Sequence, residues 1–402
     1  YPGLNPSFFR IAVRREQENR RLIDDIKKIF LPGFSAKCFL QTPALMVLGT
    51  GSNVGKSIFV TALCRIFSRR GFKVAPFKSQ NMANNAYVTA DNKEMGRAQA
   101  LQALAAGLAP DVKMNPILLK PSAVNASQVV VNGQAQGTMS YSEYIEHKPD
   151  HFVTAKKAYD ELAASVDLMI LEGAGSASEV NLKAHDIVNT QMAKYANAKV
   201  LLLGNIDGGG IFGAFIGTLE TMVEWERELV AGFIINNFRG EKALLSSAFE
   251  YVKNFTGIEI IGVIPHISQL NLPDEDAVSF KANLNISATK SKGISQLDVV
   301  IIDTPYISNL TDVDAFKVEE DINLRKVRAP NELGSPDILI LPGSKSVVGD
   351  LQFLRDSGLA HEIKQLATTT KITIVGLCGG MQMLGQEILD PLAIESGNPK
   401  IS

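Results

Sequence analysis

Residues 44–48 form an unbroken apolar run that passes directly into Gly49-Thr50-Gly51-Ser52-Asn53-Val54-Gly55-Lys56-Ser57, and a helical pattern follows to about residue 70. This strand–turn–helix junction constrains the fold most. A strand with no polar alternation must be covered on both faces. Similar short runs recur at 73–76, 168–171, 200–203, 232–235 and 260–264, bounded by Gly, Pro or polar residues and mostly separated by helical patterns. The alternation predicts an α/β fold: a mostly parallel sheet with helices on both faces and ligand sites at the C-terminal ends of the strands.

Composition shifts at residues 280–296, where Ser, Asn, Lys and Thr dominate as in a linker. A second strand series follows at 297–302, 338–341 and 372–375 and predicts another α/β domain. The expected organisation is a stub at 1–34, a P-loop domain at 44–279, a linker at 280–296 and a second domain at 297–402. The chain starts at Tyr1 and stops soon after Cys378, so a longer parent polypeptide is expected.

Lys plus Arg number 40 and Asp plus Glu 42, a net charge of -2. That balance gives no electrostatic case for nucleic acid or an acidic membrane. The apolar runs are too short to span a bilayer. Three scattered cysteines, Cys38, Cys64 and Cys378, make no disulfide framework or zinc ribbon. A cytoplasmic protein is expected, with a homodimer as a possible assembly.

The loop at 49–57 carries phosphate chemistry. Its glycines let backbone amides turn inward, and the amides of Gly51, Ser52, Asn53, Val54 and Gly55 are candidates to hold phosphate oxygens at a helix N-terminus. Lys56 can reach the β- and γ-phosphates, and Ser57 can ligate Mg²⁺. The common pattern G-x-x-x-x-G-K-[ST] wants glycine at Thr50. Here glycines stand at 49 and 51 instead.

Other candidates sit at strand ends. Glu172 closes an apolar strand before Gly173-Ala174-Gly175 and can bind the metal. Glu94 is a second metal candidate. Asp207, before three glycines, can bind a metal-bound water or substrate, or simply shape a tight turn. Lys78 follows the second strand and can offset charge on a transferring phosphoryl group. Asn236 can pair with an adenine edge or cap the following turn.

The strings GTGSNVGKS, APFKSQNMANNAYVT, EMGRAQALQA, MNPILLKP, ILEGAGS, NIDGGGIF, FIINNFRGE, GVIPH and LPDEDAV together resemble the adenosylcobyric acid synthase family, in the family's order. The loop alone is similar to the wider dethiobiotin synthetase-like group. Two departures stand out: Gly208 occupies a position that is typically Arg, and Asn237 one that is typically basic. The resemblance implies MgATP-dependent activation of cobyrinic acid a,c-diamide carboxylates as acyl phosphates, then displacement of phosphate by ammonia. Alternatives are another carboxylate-activating ligase, such as the a,c-diamide synthase or a dethiobiotin synthetase, a ParA/MinD-like switch ATPase, or a pseudo-enzyme scaffold.

Residues 374–385 read as strand, tight turn, helix, with Cys378 at the turn between small neighbours. This nucleophile-elbow pattern favours a thiolate and an oxyanion. It resembles triad glutamine amidotransferases, whose flavodoxin-like class I domain would be present only in part. The implied chemistry is attack on glutamine, release of ammonia and a glutamyl thioester. The Leu341-Pro342-Gly343-Ser344-Lys345 loop matches the same family and offers oxyanion-hole amides. No histidine follows Cys378, so this chain is expected to lack a complete glutaminase site and to use free ammonia. The stretch 8–30 resembles the last strand and helix of a threonine-phosphate decarboxylase/histidinol-phosphate aminotransferase-like enzyme, with Arg10 at the carboxylate-binding position. A fusion of the two enzymes would account for it.

Overall fold

The computed structural model describes residues 42–83, 86–123, 126–267, 297–308, 310–317, 319, 321–390 and 400–401. The stub at 1–34, the linker at 280–296 and the LPDEDAV string lie outside them. The chain divides into two compact units, one drawn mostly from residues up to 271 and one mostly from 272 onward.

In the first unit, β1 (Ala44–Gly49) is buried at every position. Ala44, Met46 and Leu48 enter one core cluster while Leu45 and Val47 enter another, so both sheet faces are covered. The loop then feeds α1 (Lys56–Arg69). β2 (Val74–Phe77) returns to the sheet. Three short strands follow, β3 (Gln80–Met82), β4 (Ala86–Val88) and β5 (Glu94–Gly96), before α2 (Arg97–Ala106), which Gly107 ends at φ 79.

Next come β6 (Ile117–Ala123), β7 (Ala126–Val131) and β8 (Gln134–Ser140), which with β3 form a small four-stranded sheet. Ser140 caps α3 (Tyr141–Ala163) reciprocally: Glu143 N donates to Ser140 Oγ, and Ser140 N donates to the Glu143 carboxylate at 2.8 Å.

The main sheet resumes with β9 (Leu168–Glu172) and continues through α4 (Thr190–Tyr195), β10 (Lys199–Asn205), α5 (Ile211–Glu220), α6 (Glu224–Leu229), β11 (Val230–Phe238), α7 (Ser246–Thr256) and β12 (Ile260–Pro265). The order is β12-β11-β10-β1-β9-β2, and every pairing is parallel. β1 is central, so the phosphate loop emerges flanked by the tips of β9 and β10.

The second unit has its own parallel sheet. β13 (Leu297–Ile302), β14 (Ile307–Ser308), β15 (Ile322–Val327), β16 (Ile338–Leu341) and β17 (Gly343–Ser344) lead to α8 (Val347–Asp356), α9 (Leu359–Thr369), β18 (Thr373–Gly376) and α10 (Gly379–Met383). The order β15-β13-β16-β18 is parallel throughout. No helix among the described residues is long and apolar enough to cross a membrane.

Candidate active site

The phosphate loop is tied down on both sides. Thr50 N donates to Leu203 O at 3.0 Å on β10. Thr50 O accepts from Ser176 Oγ at 3.0 Å in the turn after β9. The glycine displaced from the common pattern has its own use: a Cβ on Gly49 would come 2.8 Å from Lys56 Nζ and 2.9 Å from Gly51 O. Gly55 opens α1 at φ 98 without a side chain to cap it. The amides of the first turn are thus turned toward the place an anion would occupy.

Lys56 Nζ arches over the loop and donates to Gly51 O at 2.9 Å and Gly175 O at 2.7 Å. Ser57 Oγ donates to Glu172 Oε1 at 2.9 Å. Lys78 Nζ reaches the same oxygen at 2.8 Å in an ion pair that is almost wholly buried. A buried carboxylate is tolerable only when it is paired and hydrogen-bonded, and Glu172 is both. Lys78 is itself held from its backbone: its N donates to Met114 O, and Asn115 Nδ2 donates to its carbonyl at 3.0 Å.

Four sequence candidates therefore converge, namely Lys56, Ser57, Glu172 and Lys78. Asn236 joins them differently from either sequence reading. Its Nδ2 donates to Val54 O at 2.8 Å, inside the loop, and fills the space a Cβ on Gly55 would need.

Asp207 and Glu94 have other partners. Asp207 is exposed at the tip of β10 and pairs with Arg239 Nε at 3.3 Å; Arg239 also reaches His266. Glu94 pairs with the buried Lys120. Asn237, one of the two departures from the family pattern, sits at φ 62, a left-handed conformation that Asn tolerates better than most residues.

One residue escaped the sequence reading. Gln102, on α2 and wholly buried, donates through Nε2 to Glu172 Oε2 at 2.5 Å. Its Oε1 has no hydrogen-bond partner among the described residues. The MGRAQALQA string was legible, but nothing in it marks which glutamine faces the carboxylate.

Among the described residues no three His, Cys, Asp or Glu side chains gather as a metal site. The arrangement nevertheless fits a magnesium nucleotide. Mg²⁺ is commonly held by one carboxylate or hydroxyl together with phosphate oxygens and waters rather than by an all-protein cage. Ser57 and Glu172 would supply that pair, and the Gln102 oxygen is a buried acceptor without a partner among the described residues.

In the second unit Cys378 joins β18 to α10 at φ 49, ψ -109, a strained conformation that leaves it exposed at the turn. Its neighbours must be small. A Cβ on Gly380 would meet Leu341 O at 2.0 Å, one on Gly379 would meet Ser344 N at 2.8 Å, and one on Gly376 would meet Met381 N at 2.7 Å. The backbone of the Leu341–Lys345 loop thus lies against the elbow, as an oxyanion-hole role requires. α10 has only five residues, so the turn matters more here than a helix field.

Residues 45–279 match the CobQ/CobB/MinD/ParA nucleotide binding domain, and residues 298–402 match the CobB/CobQ-like glutamine amidotransferase domain. Over all 402 residues the chain is 52% identical to the adenosylcobalamin biosynthesis bifunctional protein CobDQ of Leptospira interrogans, of which it covers 46%. It is 53% identical to the cobyric acid synthase of Nitratidesulfovibrio vulgaris over 88% of this chain and 66% of that one. With the cobyric acid synthase of Desulfitobacterium hafniense, identity is 47% over 89% of this chain and 70% of that one. The chain thus spans about half the length of the first of these relatives and about two thirds of the second. A nucleotide-binding unit with its loop lysine, serine and acidic partner in contact, followed by a cysteine-elbow amidotransferase unit, places this chain in the cobyric acid synthase family.

Proposed function

We propose that the chain carries out the ATP-dependent amidation of corrin side-chain carboxylates, taking cobyrinic acid a,c-diamide toward cobyric acid, with glutamine or ammonia as nitrogen donor. The observation that carries this reading is the convergence of Lys56, Ser57, Lys78 and Glu172 at the tips of β1, β2 and β9.

A carboxylate is a poor electrophile. A substrate carboxylate oxygen attacks the γ-phosphorus of ATP, the bond to the β-phosphate oxygen breaks, and ADP leaves. Ammonia then adds to the acyl phosphate carbon, inorganic phosphate departs, and a proton is lost to leave the amide. Two anions must be brought together, so positioning and charge compensation dominate. Lys56 exchanges its two loop carbonyls for phosphate oxygens, and Lys78 faces the acceptor. Mg²⁺, held by Ser57 and Glu172, would supply further charge neutralisation at the phosphates. In the second unit Cys378 would be the nucleophile toward glutamine, forming a glutamyl thioester as ammonia leaves; with no histidine after Cys378 in the sequence to act as base, free ammonia is the donor expected for this chain.

Three further parts belong to the proposal. Asp207 and Asn236 shape the nucleotide and substrate side of the loop. Residues 1–34 correspond to part of an aminotransferase-like enzyme; the alignment with the bifunctional relative extends through them. The enzyme is cytoplasmic and self-associates, with exposed Leu244, Tyr251 and Phe255 as an available apolar surface.

The test is incubation with MgATP, an ammonium salt and cobyrinic acid a,c-diamide, followed by mass spectrometry. Stepwise replacement of OH by NH₂ with matching ADP release is expected, and Lys56→Ala should abolish both. Equal turnover by Lys56→Ala, or turnover of diaminopelargonic acid in place of the corrinoid, would overturn the reading.

A further inference from the structure

The carboxylate of Glu172 accepts three side-chain hydrogen bonds. Two of them, from Ser57 and Lys78, fall on Oε1. The third comes from Gln102 and falls on Oε2. Bonds on one oxygen alone leave the tilt of a carboxylate plane less defined than bonds on both. Gln102 is therefore the contact that holds the plane of the Glu172 carboxylate from the side opposite Ser57 and Lys78.

The orientation of the Gln102 amide is set by chemistry. Its nitrogen also lies 3.4 Å from the Ser57 carbonyl. Both neighbours of that end, a carboxylate and a carbonyl, accept hydrogen bonds. Turning the amide over would set oxygen against oxygen at both contacts. The carbonyl end, Oε1, is thereby committed to the other side, where it is buried and has no partner among the described residues.

Buried acceptors are almost always satisfied, by protein or by a ligand or water. Gln102 could have been apolar at no cost to α2, whose other buried residues are mostly alanine. An amide at this position, with one end on the acidic residue and the other end unmet, has the form of an outer-shell support for a hydrated cation.

We propose that Gln102 is a positioning residue for the magnesium nucleotide: its NH₂ group orients Glu172, and its carbonyl oxygen accepts a hydrogen bond from the water shell that a bound Mg²⁺ retains. This rests on the functional reading above and deepens it. Gln99 provides an internal control. It lies on the same helix, is equally buried and also has an amide atom without a partner among the described residues. Its oxygen accepts from Asn81 at 3.2 Å instead, and its amide makes no hydrogen bond to Glu172 among the described residues.

The experiment measures affinity for ATP with Mg²⁺ and for ATP in excess chelator, by calorimetric titration of the purified chain, together with its melting temperature. Gln102→Met removes both hydrogen bonds and keeps the length of the side chain. Its MgATP affinity should fall roughly tenfold or more, as outer-shell changes do, while metal-free ATP affinity stays within about twofold of the parent. The Mg²⁺ concentration giving half-maximal nucleotide binding should rise in step. Gln99→Met should lower the melting temperature without that split. If Gln102→Met does not fold, Gln102→Asn keeps an amide withdrawn by one methylene and should show the same split. Equal losses with and without Mg²⁺, or no loss in either, would overturn the proposal. A parent chain that bound no MgATP would instead remove the functional reading, and this inference with it.

Discussion

Ser57 and Glu172 stand 115 positions apart in the chain, yet the serine hydroxyl donates to the glutamate Oε1 at 2.9 Å. The contact follows from topology. β1 and β9 are parallel neighbours, so the residues that follow β1 and the last residue of β9 meet at one sheet edge. Lys78, just after β2, arrives beside them because β2 is the next strand over.

The Glu172–Lys78 pair is buried, with 1% and 6% of the side chains exposed. Removing one member leaves the other charge in a low-dielectric site and should cost about 3–5 kcal/mol. Glu172→Gln and Lys78→Met are each expected to lower the urea unfolding midpoint strongly. The double variant should be less destabilised than the sum of the two. Additive losses in this cycle would show that the pair contributes no coupling.

Gly55 has two reasons to resist substitution. Its φ of 98 suits glycine alone, and a Cβ would come 2.3 Å from Asn236 Nδ2. Gly55→Ala is expected to cost about 1–2 kcal/mol from the backbone alone and to displace Asn236 from Val54 O. Nucleotide affinity should fall further than global stability. Asn236→Ala opens that space and should recover part of the stability lost by Gly55→Ala, read as a higher melting temperature in the double variant.

These relationships were unevenly legible beforehand. Most strands of the two parallel sheets announce themselves as apolar runs because both of their faces are covered; β13 and β16 begin and end where the pattern does. β8, Gln-Ala-Gln-Gly-Thr-Met-Ser, does not: it is mostly exposed and pairs at a sheet edge, so no apolar alternation marks it. β15 also escaped, since Asn323, Arg325 and Lys326 interrupt its apolar residues. In the site, Lys56, Ser57, Lys78 and Glu172 were legible because each ends or follows a strand. Gln102 was not, because α2 is buried on most sides and shows no apolar stripe against which one glutamine stands out.

His151 gives α3 a pH dependence. Burial lowers its pKa, the neighbouring His147 adds to that, and Asp150 opposes it. The ring stacks on Tyr144 with centroids 5.2 Å apart, and Nε2 has no partner among the described residues. A lowered folded pKa means that below about pH 6.5 the unfolded chain binds the proton first. Stability should therefore fall as the pH drops through that value and level off below the folded pKa. His151→Gln should flatten this part of the profile, measured as urea midpoints between about pH 7.5 and 5.

Two described cysteines should differ sharply toward an alkylating reagent. Cys64 lies in the core between α1 and the sheet with no exposed surface; burial, and then the charge of Glu172, push its thiol pKa well up. Thiolate is the reacting form, so Cys64 lacks both access and ionisation. Cys378 is exposed at the strained turn between β18 and α10. Iodoacetamide at about pH 8, followed by peptide mass spectrometry, should modify Cys378 in the folded protein. Cys64 should react only once urea has unfolded the chain. Early modification of Cys64 would mean that α1, and with it the phosphate loop it anchors, opens far more readily than its packing allows.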